Sequence, residues 1–303
     1  MQRRTFLQAS LALPLSAAID ARAQPRLMKR AIPSTGEQIA AVGLGTWQVF
    51  DVAGNASARA EAREALRAFV KLGGEVVDSS PMYGSSETVT GELAAELGVH
   101  KRLFVATKVW TTGREEGVRQ MQQSMSRLRV DLKGPLDLMQ VHNLVDTQTH
   151  LATLRAWKKE GRVRLLGVTH YQAGGHADLE AELRKGGLDF VQVNYSLNEP
   201  QAERRLLPAA RDLGVAVIIN RPFSEGALFA RVKGRALPDF AADIGCRTWA
   251  QVFLKWIISH PAVTCAIPGT RDARHVEDNL GALQGPMPDA AVRQRIRDSL
   301  DRR

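Results

Sequence analysis

Cysteine is scarce in this chain: 303 residues carry only Cys246 and Cys265. They form neither a C-x-x-C pair nor a metal-ligand spacing, which leaves no disulfide framework or zinc module to read and makes both small core residues. Long apolar runs are missing too. Nothing approaches the 18 or so consecutive apolar residues of a membrane span, so the mature chain is expected to have no stable span. Charge of one sign dominates weakly, with a net +9, but Lys and Arg alternate with acids, as in Ala60-Glu-Ala-Arg-Glu-Ala-Leu-Arg67. That pattern is a solvated helical face and argues against a nucleic-acid partner. What is present is 44% apolar and 24% charged residues, enough for one large core.

The first residues differ in kind. Gln2-Arg-Arg-Thr-Phe-Leu-Gln8 sets two adjacent arginines before an apolar stretch, Ala9 to Ile19, and Ala21-Arg22-Ala23 is an A-x-A cleavage signal. Residues 1–23 resemble a twin-arginine export leader, which implies the twin-arginine export machinery as a partner and a periplasmic or otherwise extracytoplasmic destination, with the cytoplasm as the alternative. Loss of Arg3, Arg4, Arg22 and Asp20 leaves residues 24–303 with a charge of +7 (9 minus 2).

Residues 24–303 read as a single domain. Short runs rich in Val, Ile and Leu recur eight times: Ala41–Gly45, Glu75–Asp78, Leu103–Val109, Leu136–His142, Val163–Thr169, Phe190–Tyr195, Ala216–Phe223 and Val263–Pro268. Segments of helical period separate most of them. Strands apolar on both faces that alternate with helices imply a covered parallel sheet, and eight repeats imply an α/β fold of the (β/α)8 TIM-barrel type. A doubly wound sheet is the rival, but Gly43-Leu-Gly45-Thr-Trp47 lacks the third glycine of a dinucleotide loop. Met28 to Ala40, with Ser34-Thr-Gly36 at its centre, reads as a β-hairpin ahead of the barrel.

Barrel sites lie at the carboxyl ends of the strands. Asp78 ends the second run, Lys108 lies near the end of the third, His142 ends the fourth, and Tyr83 sits in the loop above Asp78. Each alone has an ordinary explanation as a turn residue, a solvated charge, a core imidazole or a loop anchor. Four together, three at successive strand ends and one in the loop above them, point to a site. In such a set Lys108 is expected to lower the Tyr83 pKa, Asp78 to hold Lys108 charged, and His142 to hydrogen-bond a substrate oxygen.

Val77-Asp-Ser-Ser-Pro-Met-Tyr-Gly84, Thr107-Lys-Val-Trp110, Gln140-Val-His-Asn143 and Ile267-Pro-Gly-Thr-Arg271 with Glu277-Asp-Asn279 resemble the signature blocks of the aldo/keto reductases, in the family's order. The resemblance implies a barrel that binds NADP(H) across its carboxyl rim and reduces a small-molecule aldehyde or ketone. It makes Tyr83 the proton donor, completed by Asp78, Lys108 and His142. It assigns Asn143, Thr169, His170 and Gln192 to the nicotinamide carboxamide, although the family usually has Ser-Asn at Thr169-His170. Asn220 and Arg221 stand where many members have a tyrosine that stacks on the nicotinamide. Thr270, Arg271, His275, Asp278 and Asn279 fall at the adenosine-phosphate site, and Trp47 and Trp110 in the substrate cleft. Two other functions fit the residues. One is a nucleotide-holding binding or sensor protein with little turnover. The other is a Schiff-base aldolase with Lys108 as nucleophile, which the pairing with Asp78 opposes.

Overall fold

The structure, a computed structural model, describes residues 27–301; the expected leader at residues 1–23 lies outside the described residues. Strands β1 (Lys29–Ala31) and β2 (Gln38–Ala40) form an antiparallel hairpin. Eight parallel strands follow, β3 (Leu44–Gly45), β4 (Val76–Asp78), β5 (Phe104–Val109), β6 (Leu136–His142), β7 (Val163–His170), β8 (Phe190–Asn194), β9 (Ala216–Asn220) and β10 (Cys265–Ala266). They lie side by side in chain order. Parallel bridges Val42–Ala266 and Gly45–Gly269 join the two outer strands and close the barrel. Closure needs Gly45: a Cβ there would sit 2.8 Å from the Ile267 carbonyl oxygen.

Why these segments are helices is visible in their apolar spacing and caps. Ala56–Lys71 buries Ala58, Ala62, Ala65, Leu66 and Phe69 on one face, and the Asn55 side chain accepts a hydrogen bond from the Ala58 amide at its start. Trp249–Ile258 is capped in the same way by Thr248. No helix among the described residues is long and apolar enough to cross a membrane.

Inside the barrel, alternate residues of each strand point to the axis. At the amino-terminal end Val76, Phe104, Leu138, Leu165, Phe190 and Ala216 make an apolar layer together with Ile32 and Ile39 of the hairpin, so β1 and β2 cover that end. Further along the same strands the inward residues become polar: Asp78, Lys108, Gln140 and Gln192, all buried. This change of character along the axis turns a packed core into a site.

The expected strand Ala216–Phe223 stops at Asn220. Arg221 takes a left-handed φ of 49° immediately before Pro222, a conformation no strand contains. The two seam strands are shorter than expected because isolated bridges, not a continuous ladder, join them.

Candidate active site

Strands β4, β5 and β6 are neighbours in register, with Asp78 opposite Ala106 and Lys108 opposite Gln140, so the fold brings Asp78, Lys108 and His142 to one rim. Lys108 Nζ donates to Asp78 Oδ2 at 2.5 Å and to the Ser79 carbonyl at 2.7 Å. The other carboxylate oxygen, Oδ1, accepts from Gln192 Nε2 at 2.9 Å and from Gln140 Nε2 at 3.3 Å. Burial pulls the Lys108 pKa down, but Asp78 and then Tyr83 outweigh it and the ammonium is held above its usual range. A Schiff-base nucleophile needs the opposite shift.

Tyr83 lies above this pair, with Lys108 Nζ 5.0 Å from its ring centroid. Its loop is clamped by Asp51, whose Oδ1 accepts from the Ser85 amide at 2.8 Å and the Ser85 hydroxyl at 2.7 Å. Gly84 permits that clamp: its φ is 57°, and a Cβ would lie 2.3 Å from Asp51 Oδ2. The expected lowering of the Tyr83 pKa is corrected. Burial pushes it up, and the Lys108 charge opposes that rise without reversing it. Loss of hydration around the half-buried phenol outweighs the attraction of the single cation.

The His142 and Tyr83 rings meet edge to face, 6.1 Å between centroids. His142 Nδ1 is 3.2 Å from Ser80 Oγ. Burial first, then the charges of Lys108 and His170, push the imidazole pKa down to about 2, so it is neutral at ordinary pH. The Ser80 hydroxyl can donate to Nδ1, and in that arrangement the imidazole proton is on Nε2.

The remaining expected residues divide into those the rim presents and those tied elsewhere. Asn143 follows β6 with a left-handed φ of 52°; its amide N–H faces Thr169 Oγ1 at 3.4 Å and its Oδ1 is buried without a partner. Asn220 Oδ1 is likewise buried and unpartnered, while Asn220 Nδ2 donates to the His170 carbonyl at 3.3 Å. His170 Nδ1 accepts from the Gln172 amide at 3.1 Å, and its ring stacks on Tyr171. Arg221 Nη1 donates to the Tyr171 carbonyl at 3.2 Å, and Nε lies 3.3 Å from Glu225. Gln192 is engaged with Asp78 and Asn220 inside the barrel.

At the far end of the rim Thr270 Oγ1 accepts from the Asp272 amide at 3.0 Å and lies 3.5 Å from His275 Nδ1. Arg271 Nε donates to Glu61 at 2.8 Å. Asn279 is buried. Asp278, half-buried, turns to the neighbouring helix, accepting from Thr248 at 2.9 Å and from Gln251 at 2.8 Å. Trp47 and Trp110 are exposed large apolar side chains, as are Met82 and Tyr171.

Sequence reasoning missed the role of Gln140 as an Asp78 donor. Its spacing two residues before His142 was the available signal, since both must face the same side of β6. It also missed Ser80 and Asp51, for which no local signal exists.

This is a barrel with a buried lysine–carboxylate pair under a tyrosine and a neutral histidine. A profile of the aldo/keto reductase family matches residues 41–298, and the chain belongs to that family of oxidoreductases. It is similar to methylglyoxal reductase YeaE of Escherichia coli (strain K12), 30% identical, with 88% of this chain and 93% of the relative covered. Among solved structures, a Klebsiella pneumoniae aldo/keto reductase in complex with NADP and acetate matches with a TM-score of 0.74 at 25% identity, covering 88% of this chain and 93% of that one. A second Klebsiella pneumoniae aldo-keto reductase, in complex with NADPH, has a TM-score of 0.76 at 24% identity, covering 90% and 96%.

Proposed function

We propose that the protein is an NADP(H)-dependent reductase of an aldehyde or ketone, with Tyr83 as general acid. The observation that carries this is the buried Asp78–Lys108 pair, 2.5 Å apart, with Lys108 Nζ 5.0 Å from the Tyr83 ring centroid. The residues present fit the cofactor: the orphaned buried oxygens Asn143 Oδ1 and Asn220 Oδ1 want N–H donors, and the nicotinamide carboxamide carries two. Asn143, Thr169 and Asn220 would hold that end, and Arg271 with Thr270 the adenosine end. NADPH, when bound, supplies a hydride to the carbonyl carbon and becomes NADP⁺.

The chain's own residues handle the oxygen and the proton. A phenol whose pKa is raised by burial keeps its proton until negative charge develops on the carbonyl oxygen, then transfers it to complete the alcohol. Lys108 stabilises the phenolate left behind, which takes a proton back from solvent. Neutral His142 donates from Nε2 to the same oxygen and so favours the charge as it forms. Asp78 is a positioning residue that acts through Lys108.

Tyr83→Phe tests the assignment. It should lower turnover by about 10²- to 10⁴-fold while NADPH affinity, measured by fluorescence titration, stays within about twofold, because no contact assigned to the cofactor is removed. Turnover within about threefold of the parent excludes Tyr83 as the acid.

From Arg3-Arg4, the apolar stretch after them and Ala21-Arg22-Ala23 we further infer export by the twin-arginine route and work outside the cytoplasm.

A further inference from the structure

Arg271 is not free to meet a ligand. It stands just past β10 and two residues before the helix Ala273–Gly281, across a groove of about 520 Å³ from the helix Ala56–Lys71. Both Glu61 and Glu64 of that helix line the groove. Arg271 Nε donates to Glu61 Oε2 at 2.8 Å, with both side chains about half exposed, 42% and 54%. The second guanidinium there, Arg274, is held by Asp272 through Nη2 at 2.7 Å and Nε at 3.2 Å. Glu64 is engaged by other guanidinium groups, Arg63 at 3.1 Å and Arg67 at 2.8 Å.

A nucleotide 2′-phosphate carries roughly −1.5 to −2 at neutral pH, as phosphomonoesters do. To use Arg271 it must displace Glu61 or lie beside it against like charge. A nucleotide with a 2′-hydroxyl faces neither demand. Glu61 therefore weakens binding of one coenzyme and leaves the other alone.

We propose that Glu61 is a coenzyme-specificity residue: it occupies Arg271 in the free protein and is displaced by the 2′-phosphate, so that it narrows the preference for NADPH over NADH. The proposal rests on the NADP(H) reading above and adds a residue more than 200 positions from Arg271 in sequence.

Glu61→Gln is the test, because glutamine keeps the length and helix propensity at an exposed position and folding is not at issue. NADPH and NADH are titrated separately into the full chain, with quenching of protein fluorescence as the readout. An exposed ion pair and one like-charge contact together predict that Glu61→Gln tightens NADPH roughly three- to tenfold, with NADH unchanged within about 1.5-fold. Glu64→Gln is the control: it removes the same charge from the same groove without touching Arg271. In an Arg271→Ala background the Glu61→Gln effect should shrink to the Glu64→Gln value, since only the general field remains.

Three results overturn the proposal while sparing the cofactor reading. They are an NADPH shift in Glu61→Gln of less than about twofold, an equal shift for NADH, and an equal shift in Glu64→Gln. Failure of the parent protein to bind either nucleotide overturns the cofactor reading itself, and this inference with it.

Discussion

Replacing Lys108 with methionine separates what the buried pair does for folding from what it does for chemistry. Lys108 is fully buried and Asp78 is 1% exposed. Methionine fills much the same space but leaves Asp78 Oδ2 facing a thioether and the Ser79 carbonyl without its 2.7 Å donor. Only the two contacts to Oδ1, from Gln192 and Gln140, remain. Stranding one partner of a buried ion pair costs about 3–5 kcal/mol. For a chain of this size that is roughly 5–8 °C in melting temperature. Turnover should fall by about 10²–10⁴, because nothing then opposes the effect of burial on the Tyr83 phenol. The second variant is Lys108→Met with Asp78→Asn, which removes both charges and leaves an amide that Gln192 and Gln140 can still engage. It should regain most of the lost melting temperature and almost none of the turnover. Differential scanning fluorimetry and single-turnover oxidation of saturating NADPH read the two quantities independently. If activity returns together with stability in the double variant, the lysine is a structural counter-ion and its proposed influence on Tyr83 is wrong.

The His142 pKa of about 2 predicts acid lability with a defined sign. The unfolded chain takes up a proton near pH 6.5 and the folded one does not, so stability is full well above that value and declines as pH falls toward 2, by about 1.6 kcal/mol between pH 6.5 and pH 5. Urea unfolding at the two pH values checks it, and His142→Gln should flatten the difference; an equal decline in that variant points to other groups. Replacing both Arg3 and Arg4 with lysine should retain the precursor inside the cell, as read by fractionation, and unchanged export rules out the twin-arginine route.

The barrel was legible because its code is local. Leu136–His142 is buried on both faces from end to end, and eight runs rich in Val, Ile and Leu separated by helical segments leave little choice of architecture. The four groups on the rim were legible for the same reason: strand-end position can be counted along the chain. The Tyr83 shift was not, since its sign depends on how much water the finished loop excludes. Nor were the engagements of Gln192 with Asp78 and of Asp278 with Thr248 and Gln251, because an amide or carboxylate near a site can turn inward as easily as outward. Glu61 shows the limit most clearly. In sequence it is one more acid on a solvated helix, and only the fold sets it against Arg271.

The hairpin of β1 and β2, with Ile32 and Ile39 packed among the amino-terminal strand residues, gives the barrel two unlike ends. Chemistry belongs to one end, and the backbone preceding Lys29 joins the molecule at the other. The Met28 amide is fastened there to the Leu283 carbonyl at 3.2 Å. A linkage made at Lys29 itself, to a bead or an electrode, therefore starts from the back of the molecule, the end away from Asp78, Lys108 and His142.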